Sequence, residues 1–148
     1  MVNIDGVKLF PLKHIVVPGG NIFHAMKNSD AGYDGFGEAY FSTIEPSVIK
    51  AWKRHNRMTL NLIVPIGTIR FALYDDRVDS PSFNRFYEVT LSQKNYFRLT
   101  IPPMVWMGFQ CVGNVMAMLL NIANIPHMPS EVDRKEIEDI MFNWNLNK

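Results

Sequence analysis

Short runs rich in β-branched and aromatic residues recur along this chain, and each is closed by Pro, Gly, Asn or Asp before it reaches ten residues. That rhythm leaves no room for crossover helices and fits an all-β barrel or sandwich. Alternation and composition predict strands at Phe36–Ile44, Val48–Arg54, Thr59–Pro65, Thr68–Tyr74, Phe86–Leu91, Tyr96–Ile101, Val105–Cys111 and Val115–Ala123. The breaks fall at Pro18-Gly19-Gly20, Glu45-Pro46-Ser47, Pro65-Ile66-Gly67, Asp79-Ser80-Pro81-Ser82, Pro102-Pro103 and Ile125-Pro126. One short helix is expected, capped by Ser130 and running to Ile140, with Val132, Ile137, Ile140 and Met141 turned inward. No repeat or linker divides the sequence, so residues 1–148 are read as a single domain.

Several function classes lack support. The net charge of +1 supplies no field that would gather nucleic acid or anionic lipid, so a charged ligand must be held locally. The richest apolar stretch, Val115–Ile125, is about half the roughly 20 residues that span a bilayer, so no membrane partner is expected. The lone Cys111 and the start MVNIDGVKLF, which lacks a signal-peptide pattern, point to the cytoplasm. Cys111 lies in an apolar run and reads as an inert buried thiol. Phosphate-loop, dinucleotide-fold and nucleophile-elbow motifs are missing. The four histidines, His14, His24, His55 and His127, are scattered without metal-site spacing, so no metal is expected.

The most informative stretch is Val48–His55. On a strand Lys53 and His55 project to one face. If that face is the barrel interior, an ammonium and an imidazole share a cavity, a pair suited to removing a proton beside a carbonyl and steadying the enolate. If it is the exterior, both simply face water. Glu38, Tyr40 and Ser42 likewise share a face that is either solvated or a ligand wall. Lys50 and Arg54 suit a phosphate or a solvated strand, and Asp75-Asp76-Arg77 reads as a turn with a structural ion pair.

From Gly67 onward the spacing Gly67-x7-Asp75-x-Arg77-x2-Ser80-Pro81-Ser82-Phe83, then Leu91-Ser92-x2-Asn95, then Ile101-Pro102-Pro103-x4-Gly108-Phe109, resembles the dTDP-4-keto-6-deoxyglucose (dTDP-4-dehydrorhamnose) 3,5-epimerases. Upstream, Phe36–Ser42 and Val48–His55 resemble two further strands of that family, and Pro18-Gly19-Gly20 falls at its D-x-R-G. The resemblance implies a cupin-type jelly-roll barrel, a nucleotide-sugar substrate, no cofactor and a homodimer paired through N-terminal strands. It implies epimerase or isomerase chemistry beside a 4-keto group in surface-polysaccharide biosynthesis, or a cupin that keeps the ligand without turning it over.

Catalytic positions are altered. Lys53 stands where the family keeps its catalytic histidine, Leu60 near its lysine and Leu120 at its tyrosine, while Met107 takes the last metal-ligand position of related cupins. Lys50 matches the phosphate-binding arginine. The expected catalytic set is His55 as base, Lys53 as enolate stabiliser and Tyr40 as proton donor, with Lys50, Glu38, Ser42 and His24 binding substrate. An acidic partner for the base is not identifiable: Glu131, Asp133, Glu136, Glu138 and Asp139 are all near the C-terminus, and spacing selects none of them.

Overall fold

The computed structural model describes residues 1–147 and contains twelve strands. They are β1 (Lys8–Pro11), β2 (His14–Ile15), β3 (Ile22–Phe23), β4 (Glu38–Ile44), β5 (Ile49–His55), β6 (Leu60–Ile66), β7 (Ile69–Tyr74), β8 (Phe86–Leu91), β9 (Phe97–Ile101), β10 (Trp106–Cys111), β11 (Ala117–Ala123) and β12 (Val132–Arg134). One antiparallel sheet has the order β1-β9-β6-β11-β4, the other β12-β5-β10-β7-β8, and β2 pairs with β3 in a separate hairpin. Sequence-distant strands are therefore neighbours in both sheets, as in a jelly roll. All eight strands predicted from the sequence form. The first opens at Glu38 instead of Phe36, because Gly37 presses against the Ile125 backbone, where a Cβ would come within 2.1 Å.

Alternation sorts the side chains. Leu62, Phe71, Leu73, Leu99 and Leu119 meet between the sheets, each at most 5% exposed. Outside the second sheet, Trp52, Trp106, Ile140 and Trp144 form another apolar cluster. Outside the first sheet lie buried polar groups: Arg98 Nε donates to Asn61 Oδ1 at 3.2 Å and Nη2 to the Ala31 carbonyl, while Asn61 Nδ2 reaches the Gly32 carbonyl at 3.2 Å. The segment around residues 30–32 thus covers that face. This explains why Leu60–Val64 is buried throughout instead of alternating with water.

The loop after β7 holds the expected ion pair. Arg77 Nε and the Ser80 and Ser82 hydroxyls donate to the fully buried Asp75 at 2.7, 2.6 and 2.5 Å. Burial pushes the Asp75 carboxyl up, but these hydrogen bonds outweigh it and hold the group well below the usual carboxylate range.

The expected helix over residues 130–140 does not form. A 3-10 turn at Pro129–Glu131 leads into β12, and a second covers Ile137–Asp139. The open edge of β5 offers Val132–Arg134 a strand partner, and the Arg54–Asp133 ion pair at 2.8 Å fixes the register. Of the side chains expected to turn inward, Ile140 is buried against the tryptophans while Met141 is 88% exposed. No helix among the described residues is long and apolar enough to cross a membrane.

Candidate active site

The site is built on β5, and a bulge sets its geometry. Along β10, Met107 pairs with Lys53 and Phe109 with Lys50, so two residues on β5, Ala51 and Trp52, face the single Gly108. Ala51 and Trp52 both pack on the outer cluster with Trp144. Alternation is thereby reset, and Lys50, Lys53 and His55 all line the same cavity between the sheets. Gly108 is required at this crossing, since a Cβ there would lie 2.6 Å from Ala51 Cβ and 2.9 Å from the Trp144 ring.

The cavity has a volume of about 640 Å³. Tyr40 and Ser42 of β4 and Asn121 of β11 form the wall across from β5, and Leu60 and Met107 contribute apolar surface without filling the space. Leu120 does not line it. On β11 the inward residues are Leu119 and Asn121, and Leu120 lies between them on the opposite face. The position matched to the family's tyrosine therefore contributes nothing to the cavity; the phenol present comes from Tyr40 on the neighbouring strand.

His55 is 5% exposed, and its Nδ1 is hydrogen-bonded to Glu131 Oε1. Glu131 is itself buried, and its Oε2 accepts the Arg57 and Met58 amides at 3.1 and 3.2 Å. Burial favours the neutral imidazole and outweighs the opposing pull of Glu131, so the His55 pKa lies below its ordinary value. Burial also pushes the Glu131 carboxyl up, yet the hydrogen bonds from His55 and the two amides prevail and keep it ionised below its ordinary value. A carboxylate only accepts, so Nδ1 carries the proton and Nε2 keeps its lone pair. No protein group among the described residues hydrogen-bonds Nε2, leaving a neutral, oriented base.

Lys53 has no hydrogen-bond or ion-pair partner among the described residues, although it is half-buried. Its register partner on β12 is Arg134, which lines the same cavity. Burial and then the Arg134 charge lower the Lys53 pKa, against a weaker opposing effect of Glu131. Lys50 Nζ reaches the Thr43 carbonyl at 3.3 Å at the exposed side of the cavity.

Asn121 fixes the Tyr40 hydroxyl. Its Oδ1 accepts the Asn61 amide at 3.3 Å and its Nδ2 donates to Tyr40 Oη at 3.2 Å, so the phenolic proton remains available to another acceptor. Glu38 stands opposite Ala123 outside the cavity lining, with Oε1 buried and without a hydrogen-bond partner among the described residues. His24 lies elsewhere. It follows the β2–β3 hairpin and lines a separate 230 Å³ cavity with Lys13, Lys27 and Arg98.

The C-terminal segment supplies what the sequence reading missed: Glu131 as the carboxylate on His55, and Arg134, Lys135, Glu136 and Asp139 on the cavity wall. Among the described residues no group of three or more His, Cys, Asp or Glu is arranged to hold a metal.

A jelly-roll barrel with a buried His–Glu pair opening into its interior defines this chain as a cupin whose cavity holds an oriented imidazole. Its backbone superposes with TM-score 0.94 on a dTDP sugar isomerase from Desulfovibrio desulfuricans, with 39% identity over 97% of this chain and 94% of that one. The chain belongs to the cupin family of the dTDP-4-dehydrorhamnose 3,5-epimerases and dTDP-sugar isomerases. Among curated proteins it is 29% identical to a spore coat polysaccharide biosynthesis protein of Bacillus subtilis, over 96% of this chain and 97% of the relative. It is 28% identical to a probable low-salt glycan biosynthesis epimerase of Haloferax volcanii, over 82% of this chain and 79% of that one. A dTDP-4-dehydrorhamnose 3,5-epimerase from Elizabethkingia anophelis shares the fold at TM-score 0.84 and 12% identity, over 99% of this chain and 85% of that one. No protein-family profile matches the chain.

Proposed function

We propose that this protein is a sugar-nucleotide epimerase or isomerase of surface-polysaccharide biosynthesis, moving a proton on a carbon beside the 4-keto group of a nucleotide-linked deoxyhexose. The observation that carries the reading is the His55–Glu131 pair, opening into the same cavity as Lys53. His55 Nε2 takes the proton, and Glu131 holds the tautomer and balances the imidazolium that forms. The Lys53 cation stabilises the oxyanion of the enolate. Tyr40, polarised by Asn121, returns a proton from the wall across the cavity, which is the geometry needed for inversion.

Lys50 at the exposed side, with Arg134 on the cavity wall, holds the diphosphate, and Ser42 contacts sugar or nucleotide. Glu38, two residues before Tyr40 on β4 but outside the lining, reaches only a part of the ligand that extends beyond the cavity. His24 is remote from the cavity of its own chain, so its contribution requires a homodimer in which the β2–β3 hairpin reaches a second copy. Exposed Val16 and Ile22 on that hairpin support such a contact. The free thiol of Cys111 accords with a cytoplasmic site of action.

The test is hydrogen exchange followed by NMR, with the protein in deuterated water and dTDP-4-keto-6-deoxyglucose as probe. Deuterium is expected at C3 or C5, and His55→Asn is expected to abolish it. Line broadening of the probe without exchange would replace this reading with that of a non-catalytic sugar-nucleotide binder.

A further inference from the structure

The ammonium role given to Lys53 leaves three features of that side chain unexplained. A lysine kept as a permanent cation in a half-buried wall ordinarily has a carboxylate beside it, and Lys53 has no ion-pair partner among the described residues. Its cross-strand neighbour on β12 is another cation, Arg134, and like charges directly opposite each other in a sheet repel. Its neighbour on β10 is Met107, whose thioether solvates no charge. Glu131, the carboxylate that opposes these influences, is committed to His55 and to two backbone amides. Burial and the Arg134 charge thus favour the free amine against the opposing effect of Glu131, and Glu136 and Asp139, the other carboxylates on the cavity wall, form no ion pair with Lys53. A lysine amine whose free form is favoured in this way, on a flexible stem in a cavity open to a ketone, is placed to act as a nucleophile.

We propose that Lys53 acts covalently, its ε-amine condensing with the 4-keto carbon of the sugar to form a protonated imine. The inference rests on the ketone-substrate reading above and replaces the oxyanion with an iminium. Nζ adds to C4 to give a carbinolamine, which takes up a proton and loses the former ketone oxygen as water. The C=N⁺ bond is a stronger electron sink than C=O. His55, two residues on and so roughly 7 Å along the backbone of the same strand, then removes the proton from C3 or C5 through Nε2. The C–H electron pair becomes a C=C bond to C4 and the C=N π pair moves onto nitrogen, leaving a neutral enamine. Reprotonation at carbon restores the iminium, and water releases the ketone and the free amine. No oxidant, reductant or metal enters the balance.

Two measurements on the unmodified protein, and one variant, decide it. With dTDP-4-keto-6-deoxyglucose and cyanoborohydride, hydride delivered to C4 of the iminium leaves a secondary amine. Peptide mass spectrometry is expected to find the sugar nucleotide, less one oxygen atom, on Lys53. In ¹⁸O-water the protein is expected to speed label entry at the C4 oxygen above the uncatalysed hydration rate, because imine formation and hydrolysis exchange that atom while enolisation does not. Lys53→Arg keeps a cation but cannot form an imine, and it is expected to slow deuterium exchange by on the order of a hundredfold or more. Deuterium exchange with no adduct and no faster ¹⁸O entry would overturn the proposal while leaving the epimerase reading intact. So would a Lys53→Arg protein that exchanges at the normal rate, or an adduct confined to another lysine. Absence of deuterium exchange in the unmodified protein would overturn the epimerase reading as well.

Discussion

At the scale of single residues, His55 owes its character to two opposing influences. Burial lowers its pKa and Glu131 raises it, and burial is the larger. The rate of proton exchange should therefore fall as pH drops through a value below the ordinary imidazole pKa of 6.5. Glu131→Gln removes the upward influence, so the acid limb of the rate profile is expected to move to still lower pH. The rate at its plateau should fall on the order of a hundredfold, because the amide no longer selects the tautomer with Nε2 free. A pH–rate profile of the variant checks both, and an acid limb that stays in place would show that Glu131 does not act on His55. The pairing of Lys53 with His55 on one strand face was readable from their spacing. Glu131 was not, because Ser130-Glu131 also looks like the start of a helix, and its 76-residue separation from His55 carries no periodic signal.

At the scale of elements, the sequence placed the strands well and the sides of strands less well. Strand existence follows from local composition and breaks, and all eight predicted strands form. Side assignment depends on counting by twos, which fails where a bulge inserts a residue. Counting back from Lys53 puts Lys50 outside, and the Ala51–Trp52 bulge returns it to the cavity. On β11 the matched position was Leu120, whereas the cavity is lined by its neighbours on either side. The predicted helix failed for a tertiary reason: the unpaired edge of β5 and the Arg54–Asp133 pair capture the segment as β12. Asp133→Ala should therefore loosen β12. The partly exposed pair contributes only about 0.5–1 kcal/mol to global stability. The expected outcome is a melting temperature lowered by a few degrees and a larger proportional loss of exchange activity, since Glu131 and Arg134 flank that position. Gly108→Val inserts a branched side chain against Ala51 and the Trp144 ring and is expected to cost about 2–4 kcal/mol, read by chemical denaturation.

At the scale of the whole molecule, three buried acid–base groups pull stability in the same direction. His55, Glu131 and Asp75 all have pKa values in the folded state below their ordinary ones. For each, the unfolded chain binds protons more readily, so stability present at neutral pH is lost on acidification. The loss should begin near pH 6.5 through His55 and deepen below pH 4.5 and 3.8 as the carboxylates follow. Melting temperatures measured from pH 8 to 3 are expected to decline monotonically. Asp75→Asn is expected to flatten the lowest part of that curve, while lowering stability at neutral pH by about 3 kcal/mol through the unpaired Arg77. The placement of Glu131 has a further consequence. It follows eleven of the twelve strands among the described residues, so the group that orients His55 lies beyond almost all of the barrel in sequence. A chain cut short before Glu131 is therefore expected to keep eleven strands of the barrel and lose the group that orients its base.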